Sequence, residues 1–215
     1  MPELPEVETI VRGLHSQLEE RKITQISFFR ADLRTKIPQT EIKEVLIDNP
    51  VLEVHRRSKY ILIRTKRGTV LVHLGMTGKV LNLKKATPHY PHTHWIFKVE
   101  RENKKPSYMH YVDPRRFGQI SSWLGDEWEK HHFIKHLGVE PLEQKRLGTY
   151  LWEKSRKKKQ PIKNYLMDHK IMVGVGNIYA CESLFKAGIS PKRLASQVSV
   201  LKYEKLARAI CQTLR

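Results

Sequence analysis

The chain has 215 residues, enough for one large domain or two modest ones, each with a buried core. Lys and Arg outnumber Asp and Glu by 40 to 22, for a net charge of +18 and a pI near 9.9, which points to a polyanionic partner, nucleic acid ahead of an anionic membrane surface. No apolar run approaches the roughly 20 residues that span a bilayer, and no signal-peptide apolar segment opens the chain, so a cytoplasmic protein is expected.

From the N-terminus, Val7, Ile10, Val11, Leu14 and Leu18 recur at helical spacing, and Pro5 suits a first turn, so a helix is predicted over 5–20. From about 22 to 124 short β-branched and aromatic runs follow one another: KITQISFF, VLEVHRRSKYILIRT, TVLVHLGM, HWIFKVE, YMHYVD and GQISSWL. These predict a β-sandwich or barrel. Beyond about 135 the segments lengthen and take helical spacing in GTYLWEKSRKKK, PIKNYLMD, NIYACESLFKAG and LKYEKLARAICQTL. Gly and Pro interrupt both patterns in HLGVEPL, residues 136–142, which sets the expected domains at 1–137 and 138–215. The fold class expected is α+β, a β-sandwich with a leading helix followed by a helical domain.

Two cysteines, Cys181 and Cys211, supply neither a disulfide framework nor a four-thiolate metal site. His92 and His94 in PHTHW share a strand face, but no third and fourth ligand stands nearby, so no metal site is expected there. The run RKKKQ at 156–160 reads as a solvated basic face that adds to counterion release on a nucleic acid.

The opening, MPELPEVET, carries a chemical possibility besides a helix start. An initiator Met is removed when the next residue is small, which would leave Pro2 as a terminal secondary amine. A generic α-amine titrates near 7.7 to 8.0 and Lys near 10.4, so at neutral pH the terminal amine is unprotonated more often by roughly 300-fold, an upper value for the more basic prolyl amine. Attack of such an amine on a sugar C1′ gives an iminium, a fixed positive charge that acts as an electron sink. Glu3 stands one residue away to handle protons.

PELPEVET at the terminus, RRSKY at 56–60, HLGMTG at 73–78, DPRRFG at 113–118 and GVGNIYACESLFKAGI at 174–189 together resemble bacterial formamidopyrimidine-DNA glycosylase over essentially the whole chain. The Leu and Val of PELPEVET resemble the oxidised-purine branch of that family more than the endonuclease VIII branch. The resemblance implies a monomeric, bacterial, nucleoid-associated repair enzyme whose partner is double-stranded DNA. It would excise 8-oxoguanine and formamidopyrimidines and cleave the strand at the abasic site by β,δ-elimination.

On the matching positions, the resemblance makes Pro2 the nucleophile, Glu3 the acid that assists sugar ring opening, and Glu6 and Glu182 further active-site carboxylates. Lys59 becomes a phosphate or sugar contact beside the lesion and His73 a phosphate contact. An enzyme that acts on a base must take it out of the stack, and an apolar wedge fills the void. Met76 and Phe117 resemble that wedge, Arg115 the residue that bonds the orphaned cytosine, and Arg116 its neighbouring support. Lys163 would contact phosphate, and Asn177, read as the start of a helix in a helix-two-turn-helix, would contact the DNA backbone.

The chain stops at CQTLR, where family members continue into a loop over the flipped base and a four-cysteine zinc finger. No cofactor is therefore expected in this chain, although the family binds one zinc through that finger. The alternative carried from this departure is a truncated, catalytically weak or inactive lesion-binding module. An RNA-binding helix-two-turn-helix protein of the ribosomal kind would explain the charge but not PELPEVET.

Overall fold

In the computed structural model the described residues are 2–86, 90–100 and 105–215. They form two units: residues 6–131 with Pro2, and residues 132–215 with Glu3–Pro5.

The first unit takes helix α1 (Leu4–Leu18) from Glu6 onward, and Val7, Val11, Leu14 and Leu18 are buried on one stripe of it. Eight strands follow: β1 (Ile23–Phe28), β2 (Glu53–Arg57), β3 (Tyr60–Arg64), β4 (Gly68–His73), β5 (Lys79–Leu83), β6 (Thr93–Val99), β7 (Ser107–Val112) and β8 (Gln119–Leu124). They make two antiparallel four-stranded sheets, ordered β1-β6-β7-β5 and β2-β3-β4-β8. Residues of period two enter one core: Ile61, Ile63, Val70, Val72 and Ile120 from one sheet, and Ile26, Trp95, Phe97, Met109 and Tyr111 from the other. Trp95 anchors it, stacked on Phe97 at 4.2 Å and on Tyr111 at 5.1 Å between ring centroids.

Two elements of this unit have no counterpart in the sequence expectations. Helix α2 (Gln39–Leu46) buries Ile42, Val45 and Leu46 in the sandwich core, and Thr65 Oγ1 donates to its Val45 carbonyl at 2.8 Å. Among the described residues strand β5 is a sheet edge paired with β7 alone.

The second unit contains α3 (Leu147–Ser155), α4 (Ile162–Leu166), α5 (Asn177–Ala187) and α6 (Val200–Leu214). Leu151, Tyr165, Leu166, Leu184, Tyr203, Leu206 and Ile210 lie in its core. The two buried tyrosines keep their hydroxyls satisfied, Tyr165 on the Leu151 carbonyl at 2.7 Å and Tyr203 on the Ala195 carbonyl at 3.0 Å. Arg156, the first residue of RKKKQ, is exposed, and its side chain is bonded as well. Its guanidinium lies 4.7 Å from the Trp152 ring centre and donates to the Trp152 and Val198 carbonyls at 3.0 and 3.1 Å, so it ties the end of α3 to the segment before α6.

Candidate functional site

In the sandwich unit the candidate side chains sit on turns whose shape is set from below. Strands β2 and β3 close through the two-residue turn Ser58–Lys59, with Arg57 opposite Tyr60. Arg56, only 8% exposed in its side chain, donates from Nη1 to the Ser58 carbonyl at 3.0 Å and from Nε to Glu8 of α1 at 2.9 Å. The helix therefore fixes the turn that carries Lys59.

His73 ends β4 in a cross-strand row with Tyr60 and Gln119. Its Nδ1 accepts the Gly75 amide hydrogen at 3.2 Å, which leaves the ring proton on Nε2. The ring is held neutral. Burial, then the Arg34 and Lys59 charges, push its pKa down to about 4. The structure thus brings Lys59, His73 and Arg34 into one electrostatic neighbourhood. Nothing in the sequence singles out Arg34, because a basic residue in the loop between β1 and α2 has no spacing that marks it. Its backbone amide donates to the Gly118 carbonyl at 3.2 Å, which seats that loop on the DPRRFG turn.

Met76 and Phe117 lie on adjoining loops, β4–β5 and β7–β8. Gly75 makes the approach possible: its φ is +63°, and a Cβ there would stand 2.6 Å from the Phe117 carbonyl oxygen. Both apolar side chains face solvent, Met76 at 42% and Phe117 at 45% exposure. The Arg115 guanidinium lies 4.7 Å from the centre of the Phe117 ring, a cation–π contact, and exposed Arg116 completes the turn at φ +57°.

In the helical unit Glu3 is buried, 3% exposed, and its carboxylate accepts three backbone amides at the start of α5: Gly176 at 2.6 Å, Ile178 at 3.0 Å and Tyr179 at 3.4 Å. A carboxylate is the favoured occupant of a helix N-terminus. These three amides therefore hold a carboxylate of the chain itself. Gly176 stands at the cap, and Asn177 is the exposed first residue of the helix, where the sequence placed its start. Lys163 is half-buried in the first turn of α4, where its amide donates to the Pro191 carbonyl at 3.3 Å. Glu182 is exposed on α5, one turn beyond Ile178. Pro2 is half-buried just before α1, and Glu6 is exposed in its first turn.

The histidine pair of PHTHW is divided by the fold. His94 is buried and donates through Nε2 to the Asp113 carbonyl at 2.7 Å, whereas exposed His92 occupies a turn at φ +65°. Cys181 is exposed on α5, and the Cys211 thiol on α6 lies 3.7 Å from the Pro141 carbonyl. Among the described residues no group of three or more His, Cys, Asp or Glu side chains is arranged to hold a metal ion.

Two family models divide the chain: the formamidopyrimidine-DNA glycosylase N-terminal domain matches residues 1–120, and the formamidopyrimidine-DNA glycosylase H2TH domain matches residues 137–215. The chain belongs to the formamidopyrimidine-DNA glycosylase family. It is 43% identical over 210 residues to the enzyme of that name from Vesicomyosocius okutanii and 45% identical over 211 residues to that of Escherichia coli strain 55989. Each alignment covers 98% of this chain and 75% of the relative. Among solved structures, MutM in complex with DNA containing carbocyclic 8-oxo-G superposes with a TM-score of 0.88 at 29% identity, covering 99% of this chain and 78% of that one. A complex of Lactococcus lactis Fpg with DNA containing an abasic site also gives 0.88, at 28% identity, over 99% of this chain and 76% of that one.

Proposed function

We propose that this chain is a bifunctional base-excision repair enzyme, a glycosylase and abasic-site lyase that removes oxidised purines, 8-oxoguanine and formamidopyrimidines, from duplex DNA. The observation that carries the reading is the pairing, in the sandwich unit, of two exposed apolar side chains on adjoining loops with a neighbourhood of cations. The loops of Met76 and Phe117 meet at Gly75, and Arg115 covers Phe117. Lys59, Arg34 and a neutral His73 share one patch. Family membership and the lesion-containing DNA of the related complexes supply the substrate class.

In this reading Lys59, Arg34 and the Nε2 proton of His73 bind phosphates, Met76 and Phe117 enter the stack as the damaged base leaves it, and Arg115 bonds the orphaned cytosine with Arg116 in support. The Pro2 amine attacks C1′ while the glycosidic bond breaks and the base departs with a proton. Ring opening at O4′, assisted by Glu3, yields the iminium. Loss of the C2′ proton then expels the 3′ phosphate, and a second elimination expels the 5′ phosphate. Glu6 and Glu182 stand as further carboxylates of the site, and Lys163 and Asn177 as backbone contacts of the helical unit.

The net charge of +18 suits double-stranded DNA as the partner of a monomer acting at the bacterial nucleoid in the cytoplasm. No helix of the described residues is long and apolar enough to cross a membrane. The deciding experiment incubates the 215-residue protein with an 8-oxoguanine·cytosine duplex and resolves the strand ends. Release of free 8-oxoguanine with phosphate on both sides of a one-nucleotide gap is expected. Binding without base release would leave a lesion-binding module in its place.

A further inference from the structure

Asp113, the first residue of DPRRFG, is completely buried at the end of β7, at 0% exposure. A buried carboxylate is costly unless hydrogen bonds replace its water. Here they come from a hydroxyl, an amide and a phenol. Oδ1 accepts from Thr77 Oγ1 at 2.6 Å, and Oδ2 accepts from the Gly118 amide at 2.8 Å and from the Tyr111 hydroxyl at 3.4 Å.

The two oxygens serve different loops. Thr77 follows Met76 on the β4–β5 loop, and Gly118 follows Phe117 on the β7–β8 loop. The backbone of Asp113 extends the same arrangement, its carbonyl accepting from His94 Nε2 at 2.7 Å and from the Arg116 amide at 3.2 Å. Beneath both loops the Tyr111 hydroxyl occupies space that only glycine leaves open, since a Cβ on Gly118 would overlap it and one on Gly78 would lie 2.6 Å away. Burial above all, then the Asp113 charge and the hydrogen bond to it, push the Tyr111 pKa upward, so the phenol remains a donor.

We propose that Asp113 is a positioning residue for lesion recognition: its two carboxylate oxygens tie the Met76 loop to the Phe117 loop, so that both wedge side chains enter the duplex as one rigid element. The inference rests on the wedge assignment made above. An aspartate suits the task because each oxygen accepts independently, one per loop. Asparagine keeps one acceptor for the Gly118 amide and must donate toward Thr77, whose hydroxyl can turn to accept.

The test follows base extrusion without chemistry, by stopped-flow fluorescence of 2-aminopurine placed beside a carbocyclic 8-oxoguanine, which lacks O4′ and resists excision, in a duplex, using the full chain. Thr77→Val removes the bond between the loops and leaves Asp113 on Gly118, so it serves where Asp113→Ala fails to fold. Extrusion should slow by roughly tenfold in Thr77→Val, the worth of one hydrogen bond to a charged group. Thr77→Ser and Asp113→Asn, which keep a polar link, should recover most of it, and this rescue separates positioning from a general loss of packing. Wild-type extrusion in Thr77→Val overturns the tie. Wild-type extrusion in Met76→Ala and Phe117→Ala overturns the wedge assignment itself, and with it the reason for the tie.

Discussion

Nδ1 of His73 accepts the Gly75 amide hydrogen at 3.2 Å, so the ring keeps its proton on Nε2 and stands as a neutral donor. Its pKa falls from the ordinary 6.5 to about 4, because burial and the charges of Arg34 and Lys59 disfavour the imidazolium. Between those values the unfolded chain binds a proton on His73 that the folded chain does not, so stability declines as pH falls from 6.5 toward 4. Well above 6.5 the residue contributes no pH dependence. At pH 5 the loss from this residue is about 2 kcal/mol. His55 and His110 are pushed down as well, each chiefly by burial, so the comparison must be with His73→Gln. Melting temperatures of the two proteins should respond differently to pH between about 7 and 5, with the wild type falling more steeply. Parallel curves would contradict the shift.

Glu3 has a structural task in addition to its proposed chemistry. Glu3→Ala strips the acceptor from three amides at the start of α5 and should cost about 1–3 kcal/mol in urea unfolding. Glu3→Gln retains one acceptor oxygen and should cost less. Hydrogen exchange at the Gly176, Ile178 and Tyr179 amides should quicken in both variants. Unchanged exchange in Glu3→Ala would show that the carboxylate does not hold these amides in solution.

Specificity and general affinity should separate by residue. Removing Lys59 or Arg34 should weaken binding to every duplex and lower the slope of log K against log salt by about 0.9 for each phosphate left without its cation. Arg115→Ala should instead erase the preference for cytosine opposite the lesion. Filter binding over a salt series, with each of the four bases opposite an abasic-site analogue, reads both quantities. An equal drop in opposite-base preference in Lys59→Ala and Arg115→Ala would contradict the division.

The elements with strong periodicity were legible in the sequence. Val7, Val11, Leu14 and Leu18 predicted α1, and the runs of the four later helices fall on α3 to α6. Helix α2 is hard to see even though Ile42, Val45 and Leu46 stand at helical spacing, because eight residues between Pro38 and Pro50 make a short pattern rich in polar positions. Strand β5 is hidden because an edge strand is only half-covered, and KVLNL alternates weakly. The nucleophile and wedge candidates were visible as motifs, but their supports were not. Glu3 meets Gly176 across 173 positions of sequence, and Arg34 and Asp113 gain their significance from loops that only the folded sandwich brings together. Helix-end chemistry showed the same limit: Asn177 marked the start of α5, but nothing in the sequence marked the Glu3 carboxylate as the acceptor of its first amides.

The most direct measurement of the account is borohydride trapping on an abasic-site duplex, followed by peptide mapping of the adduct by mass spectrometry. Pro2 is expected to carry the reduced sugar in protein from which Met1 has been removed, and blocking that removal should abolish trapping. Pro2→Gly keeps a terminal amine, now primary, and should trap more slowly. Undiminished trapping in protein that retains Met1, with the adduct mapped to Lys59, would contradict the assignment of the N-terminal amine as nucleophile.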